Sequence, residues 1–154
     1  MDYVVVKWLH ILSSTFLFGT GLGSAWYMFF ANVSKDVRAI AVVSRYVVIA
    51  DWLFTATTAI LQPATGFYMA HLAGYPLSSK WIMWSLALYV LAGACWLPVV
   101  WIQIRLRDLA ATAARDGTAL PPLYWTYFKT WVALGIPAFI AFLFIFWFMV
   151  SKPL

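Results

Sequence analysis

Residues 131–150 read WVALGIPAFIAFLFIFWFMV, and no charged residue interrupts the chain between Lys129 and Lys152. About 20 apolar residues in a helix are enough to cross the hydrocarbon core of a bilayer. A membrane strand of this length would alternate apolar and polar positions and break at turns. This run does neither, and in hydrocarbon its backbone polar groups must be satisfied within the segment, as a helix does. Working outward from it, three further stretches have the same character. Spans are expected at about 4–31, 41–72, 81–105 and 123–150. The fold class is therefore all-α, a four-helix transmembrane bundle, with 1–154 forming a single integral membrane domain.

Composition supports this. The chain is 65% hydrophobic and 10% charged, whereas soluble domains carry about 25% charged residues. A water-soluble globule of 17.4 kDa lacks the interior to hide so much apolar surface. Soluble enzymes, nucleic-acid-binding domains and disordered chains are excluded. The first apolar run is too long for a cleavable signal peptide, and no small-residue cleavage site follows it. Lys35, Arg38 and Arg45 follow the first span, and Arg105, Arg107 and Arg115 follow the third. The connection from Ala73 to Ser79 has no charge. The positive-inside rule then predicts both termini on the outer, periplasmic side of a bacterial inner membrane, crossed several times. The net charge of +5 is this topological signal plus contact with anionic lipid heads, not a nucleic-acid surface.

Ionisable groups inside a membrane are costly and mark function. The five acids are all aspartates, and the histidines are His10 and His71. On the first span Ser13, Ser14, Leu17, Thr20, Gly21 and Ser24 fall on or near the His10 face. His10 is either hydrogen-bonded to a neighbouring helix or an axial haem ligand, small residues making room for a flat macrocycle. Gly19 and Gly23 read as a packing seam. On the second span Asp51, Thr55, Thr58 and Gln62 share one face, making Asp51 and Gln62 candidates for proton transfer or for interhelical hydrogen bonds. Pro63 frees a backbone carbonyl and kinks the axis. His71 lies at the depth of His10, which favours a bis-histidine pair, and Met69 is the reserve ligand. Arg45 is placed at the lipid surface or beside a cofactor propionate. In the third span Tyr89, Gly93, Trp96, Val100 and Gln103 share a face that either walls a flat ligand or packs on another helix. Trp81, Trp84, Trp125 and Trp131 suit aromatic belts at the two interfaces. A short separate helix is expected from Asp108, ending at Gly117. Cys95 has no partner and reads as a buried, inert thiol.

Val6-Lys7-Trp8-Leu9-His10-Ile11-Leu12, the Lys80-Trp81 opening of the third span and the Val150-Ser151-Lys152-Pro153-Leu154 ending resemble the HemJ-type protoporphyrinogen oxidases and CopD-like four-helix membrane proteins. The run Phe16 to Met28, Gln62-Pro63-Ala64-Thr65-Gly66 and Cys95-Trp96-Leu97-Pro98 resemble a bacterial integral-membrane family, domain of unknown function 2269. The resemblance covers nearly the whole chain. It implies a b-type haem in a four-helix bundle with the first-span histidine, here His10, as ligand. The oxidases also carry a lysine after the third-span tryptophan and an Asn-Glu pair before the fourth-span proline. Here Met83-Trp84 and Leu134-Gly135-Ile136 stand in those places, which argues against porphyrinogen oxidation itself.

The function expected is a membrane haem b protein exchanging electrons with quinone or a membrane redox partner. Cofactor contacts are expected from His10, His71, Met69, Arg45, Ser14 and Gly21, with iron held by His10 and His71. Lys80 is a second propionate candidate. The alternatives are a divergent protoporphyrinogen oxidase-like enzyme handling a porphyrin, and a haem-free accessory or assembly subunit. A homo-oligomer fits any of these.

Overall fold

The computed structural model describes residues 2–152. Four helices account for nearly all of them: α1 Tyr3–Ser34, α2 Val37–Leu72, α3 Lys80–Asp116 and α4 Pro122–Ser151. Each is long and apolar enough to cross a membrane, and among the described residues there is no strand. The chain is an integral membrane protein.

Local chemistry sets the helix ends. Asp36 Oδ1 accepts from the backbone N–H groups of Arg38 and Ala39, satisfying donors orphaned at the start of α2. Lys35 makes the turn before it at φ 56°, its N–H bonded to Asn32 O. Pro121 is extended, and Pro122 opens α4, where its missing N–H costs nothing. Gly117, at φ 66°, ends α3 and bonds its N–H to Ala113 O.

Gly117 was the expected stop, but no separate helix precedes it. The segment from Asp108 simply continues α3, because nothing between Ile104 and Asp116 breaks a helix and Ala110, Ala111, Ala113 and Ala114 favour one. At 1.5 Å per residue, α3 is roughly 55 Å long. Its last turns therefore stand beyond a hydrocarbon core about 30 Å thick.

α1 packs along α2 and α3 along α4. The two pairs meet most closely where Val37–Ala50 lies against α3. This is the basic end, carrying Lys35, Arg38, Arg45, Arg105, Arg107 and Arg115. A buried cluster including Met28, Ile40, Leu106 and Tyr124 fills it. Farther toward the chain termini, large rings bridge the pairs. Phe18 stacks on Phe139 at 5.7 Å and meets Phe146 edge-on at 5.2 Å. Much of the remaining apolar surface faces outward, as a lipid solvent requires, with Ile60 and Val150 strongly exposed.

One buried polar pair ties α1 to α4 at the basic end. Tyr124 donates its hydroxyl to Asn32 Oδ1 at 2.7 Å, and Asn32 Nδ2 donates to Met28 O at 2.8 Å. Tyr124→Phe leaves the buried Asn32 oxygen without its donor. We expect a loss of about 1 kcal/mol. That is a fall of roughly 2–4 °C in the melting midpoint of the detergent-solubilised protein.

Two aromatic positions separate in the structure. Trp84 is 61% exposed, as a belt residue is, but Trp131 is buried at 7%. Its indole N–H is used inside the bundle, so Trp131 is a core residue rather than a belt residue.

Candidate functional site

Buried polar chemistry gathers at two levels, joined by one face of α2. Toward the chain termini, the His10 ring lies between α1 and α2. Thr65 donates its hydroxyl to Leu61 O at 2.7 Å, as threonines in helices commonly do. Its oxygen is then left to accept from His10 Nδ1, 2.8 Å away. With the Thr65 proton on Leu61 O, that contact takes the ring proton on Nδ1 and leaves the lone pair on Nε2. Nε2 has no hydrogen bond among the described residues. Nor is it a sealed orphan, since Thr55 Oγ1 is the sole fully buried side-chain polar atom there without a partner.

The approach of α1 to α2 at this point depends on Gly66. A Cβ on Gly66 would sit 3.2 Å from His10 Cε1, so a larger residue would push the imidazole away from Thr65. One turn along α1, the single Ser13 hydroxyl proton is shared between His10 O and the Gln62 side-chain oxygen, both within reach of Oγ. His10, Ser13, Gln62 and Thr65 thus form one polar clasp.

The second level lies around Asp51. Between Asp51 and Thr55 the helix widens by one residue, so that Ala56 N–H bonds to Asp51 O. Such π-turns recur at functional sites. Trp96 Nε1 of α3 donates to Asp51 Oδ2 at 3.2 Å. Oriented to satisfy both neighbours, the Gln103 amide donates to the same oxygen at 3.0 Å and accepts from Trp131 Nε1 at 3.2 Å. Among the described residues Asp51 has no cationic partner. The ion pairs among the described residues are Arg107–Asp108 and Arg115–Asp116.

Asp51, Thr55 and Thr58 are each about 94% buried and Gln62 is half-buried, so the expected polar face of α2 does point inward. The third-span face of Tyr89, Trp96 and Gln103 is a packing face. All three side chains reach α2, Tyr89 donating its hydroxyl to Ala59 O at 2.6 Å. Pro63 has no N–H to offer Ala59 O, and Tyr89 supplies the missing donor while the helix runs on unbroken.

Other expected ligands are distributed differently. Met69 is half-buried and one turn past Thr65, about 40° around the helix. His71 is exposed and roughly 120° away from Thr65. No hydrogen bond joins either residue to His10 among the described residues. Arg45 is exposed, twenty residues from Thr65, which is about 30 Å along α2. It lies beyond reach of a group held by His10, whereas Lys80 belongs to the same end as His10. Ser14 bonds its own helix at Ile11 O, and a Cβ on Gly21 would meet nothing within 4 Å. A Cβ on Gly19 or Gly23 would likewise meet nothing within 4 Å. No group of three or more His, Cys, Asp or Glu side chains is arranged to hold a bare metal ion among the described residues.

Compared with known proteins, residues 4–153 match a family model described as a predicted integral membrane protein. No curated protein and no solved structure matches.

Proposed function

The chain belongs to the family Predicted integral membrane protein (DUF2269), and we propose that within it this protein binds a b-type haem through His10 and works in membrane electron transfer. One observation carries this reading: His10 is held through Nδ1 by Thr65, with Nε2 left free. Metal-ligating histidines are characteristically fixed in this way, their other ring nitrogen donating to an oxygen.

Imidazole nitrogen suits haem iron, and the half-buried His10 ring, anchored at Nδ1, would hold it through Nε2. Met69, on the face shared with Thr65, is the nearer candidate for a second bond within the chain, with His71 the other. Lys80 is the cation at this end of the bundle suited to a propionate. A haem so bound would supply reversible one-electron chemistry, its potential set by the residues holding it and the surrounding apolar medium. Thr65 fixes the imidazole tautomer, Gly66 sets the depth of the ring, and the apolar spans exclude water. Asp51, Thr55, Thr58 and Gln62 lie on one face of α2 that leads from mid-helix toward His10, and Asp51 and Gln62 are the candidates for a proton that accompanies the electron. Quinone or a membrane-bound redox protein is the expected exchange partner, in a bacterial inner membrane.

The test is the reduced-minus-oxidised visible spectrum of protein purified from haem-replete cells. A Soret band that disappears in His10→Ala is expected. Thr65→Val should keep the band but weaken haem retention by about 10–100-fold, the usual effect of losing a ligand's hydrogen-bond anchor. A folded, colourless wild-type protein, or an unchanged spectrum in His10→Ala, overturns the assignment. The colourless outcome would leave His10 as an interhelical clasp in a haem-free subunit.

A further inference from the structure

At the basic end, far from His10, a groove of about 370 Å³ between α2 and α3 is lined by Ala41, Arg45, Ile49, Arg107, Asp108 and Ala111. We infer that this groove binds the phosphate headgroup of an anionic phospholipid, drawn from the leaflet around it.

Charge supports this. Arg107 pairs with Asp108 at 2.7 Å, but its side chain remains one-third exposed. Arg45 is exposed and has no carboxylate partner among the described residues. Two guanidinium groups against one carboxylate leave an uncompensated positive charge. Guanidinium is also the side-chain group best matched to phosphate oxygens, which it engages through paired N–H donors.

Depth supports it as well. The lining changes along α2 from Arg45 to Ile49, one turn farther into the span, so a headgroup at the arginines has an apolar track for its acyl chain. At a similar depth on α3, outside the groove, Arg105 stacks over Trp101 at 5.3 Å, and Trp101 is half exposed. Tryptophan beside arginine marks the membrane–water boundary. Basic pockets between spanning helices at that boundary are established receptors for anionic lipid heads. A soluble phosphate compound offers the same oxygens but has no use for the apolar end.

The inference is independent of haem. The delipidated wild-type protein is incubated with phosphatidylglycerol, cardiolipin or phosphatidylcholine, and retained lipid is counted by native mass spectrometry. Anionic lipid should be retained in preference to phosphatidylcholine. Arg45→Gln and Arg107→Gln should each weaken retention about fivefold, from the roughly 1 kcal/mol that a surface arginine contributes. The double variant should bind anionic lipid no better than phosphatidylcholine. Arg45→Lys should retain most of the preference, and Arg115→Gln, outside the groove, all of it. Circular dichroism and melting midpoints matching wild type establish that the variants are folded. Equal retention of phosphatidylcholine by the wild type, or unchanged retention by the folded double variant, overturns the site. Complete displacement of lipid by equimolar pyrophosphate also overturns it, in favour of a soluble phosphate ligand.

Discussion

Asp51→Leu should destabilise the protein by roughly 3 kcal/mol, while Asp51→Asn should cost less than about 1 kcal/mol. Leucine has the shape of aspartate without its oxygens, so packing is largely retained. What is lost is the acceptor shared by Trp96 Nε1 at 3.2 Å and the Gln103 amide at 3.0 Å. Both donors belong to α3, where Gln103 is buried and Trp96 half-buried inside a spanning segment. An unpaired buried donor loses the full cost of its desolvation, about 1–3 kcal/mol, and two are stranded here. Asparagine restores an acceptor oxygen at the same place, so Trp96 and Gln103 keep their bonds. The measurement is the unfolding midpoint in detergent, followed by tryptophan fluorescence, for all three proteins. Indistinguishable asparagine and leucine variants would mean that the carboxyl oxygens do not organise this network. Asp51→Asn also separates two roles. If the α2 face from Asp51 toward His10 moves protons, the variant should keep wild-type stability yet lose the pH dependence of the haem potential.

The span count was plain from composition and segment length because lipid imposes a simple rule: about 20 apolar residues, with helical bonding throughout. The inward face of α2 was equally readable from the spacing of Asp51, Thr55, Thr58 and Gln62. Their partners were not. Which atom of α3 meets Asp51 depends on the relative rotation and stagger of two helices, and one helix's periodicity says nothing about either. Trp96 and Gln103 were recognised as sharing a face, but that face had two readings until Asp51 was seen opposite it. Trp131 shows the same ambiguity. A tryptophan two turns inside a span suits a belt or a core, and only the nearby Gln103 oxygen decides. Thr65 was hidden for a different reason. Thr57, Thr126 and Thr130 also bond carbonyls one turn back in their own helices, so nothing in the sequence distinguishes the threonine whose second lone pair holds His10. The π-turn at Asp51–Thr55 left no signal either, since Trp52, Leu53 and Phe54 suit an α-helix equally well. His10 stood out because a histidine on a stripe of small polar residues is rare inside a membrane. Its neighbours required coordinates.

Tyr89→Phe should cost roughly 2 kcal/mol in the native background and well under half of that when Pro63 is replaced by alanine. Residue 63 should donate its N–H to Ala59 O, but a proline has none, so that carbonyl lies in the membrane interior without a helical partner. Tyr89 donates to it at 2.6 Å, and the phenylalanine variant removes that donor without disturbing the ring. An unsatisfied backbone carbonyl in hydrocarbon costs several kcal/mol in the limit. Helices can adjust, which brings the expected figure below that limit. In Pro63→Ala the new N–H serves Ala59 O, and the tyrosine hydroxyl becomes a second donor to an already satisfied acceptor. Removing it then forfeits only an ordinary interhelical bond, which averages about 0.6 kcal/mol in membrane proteins. Melting midpoints of the four proteins in the double-mutant cycle should therefore give a coupling of about 1–2 kcal/mol between positions on different helices. Additive losses would refute the assignment of Tyr89 as the donor that compensates Pro63. The coupling also bears on the clasp, because Thr65 and Gly66 lie within one turn of Pro63. If the Tyr89 bond fixes the helix path through the proline, Tyr89→Phe should loosen His10 as well, and Pro63→Ala should restore it.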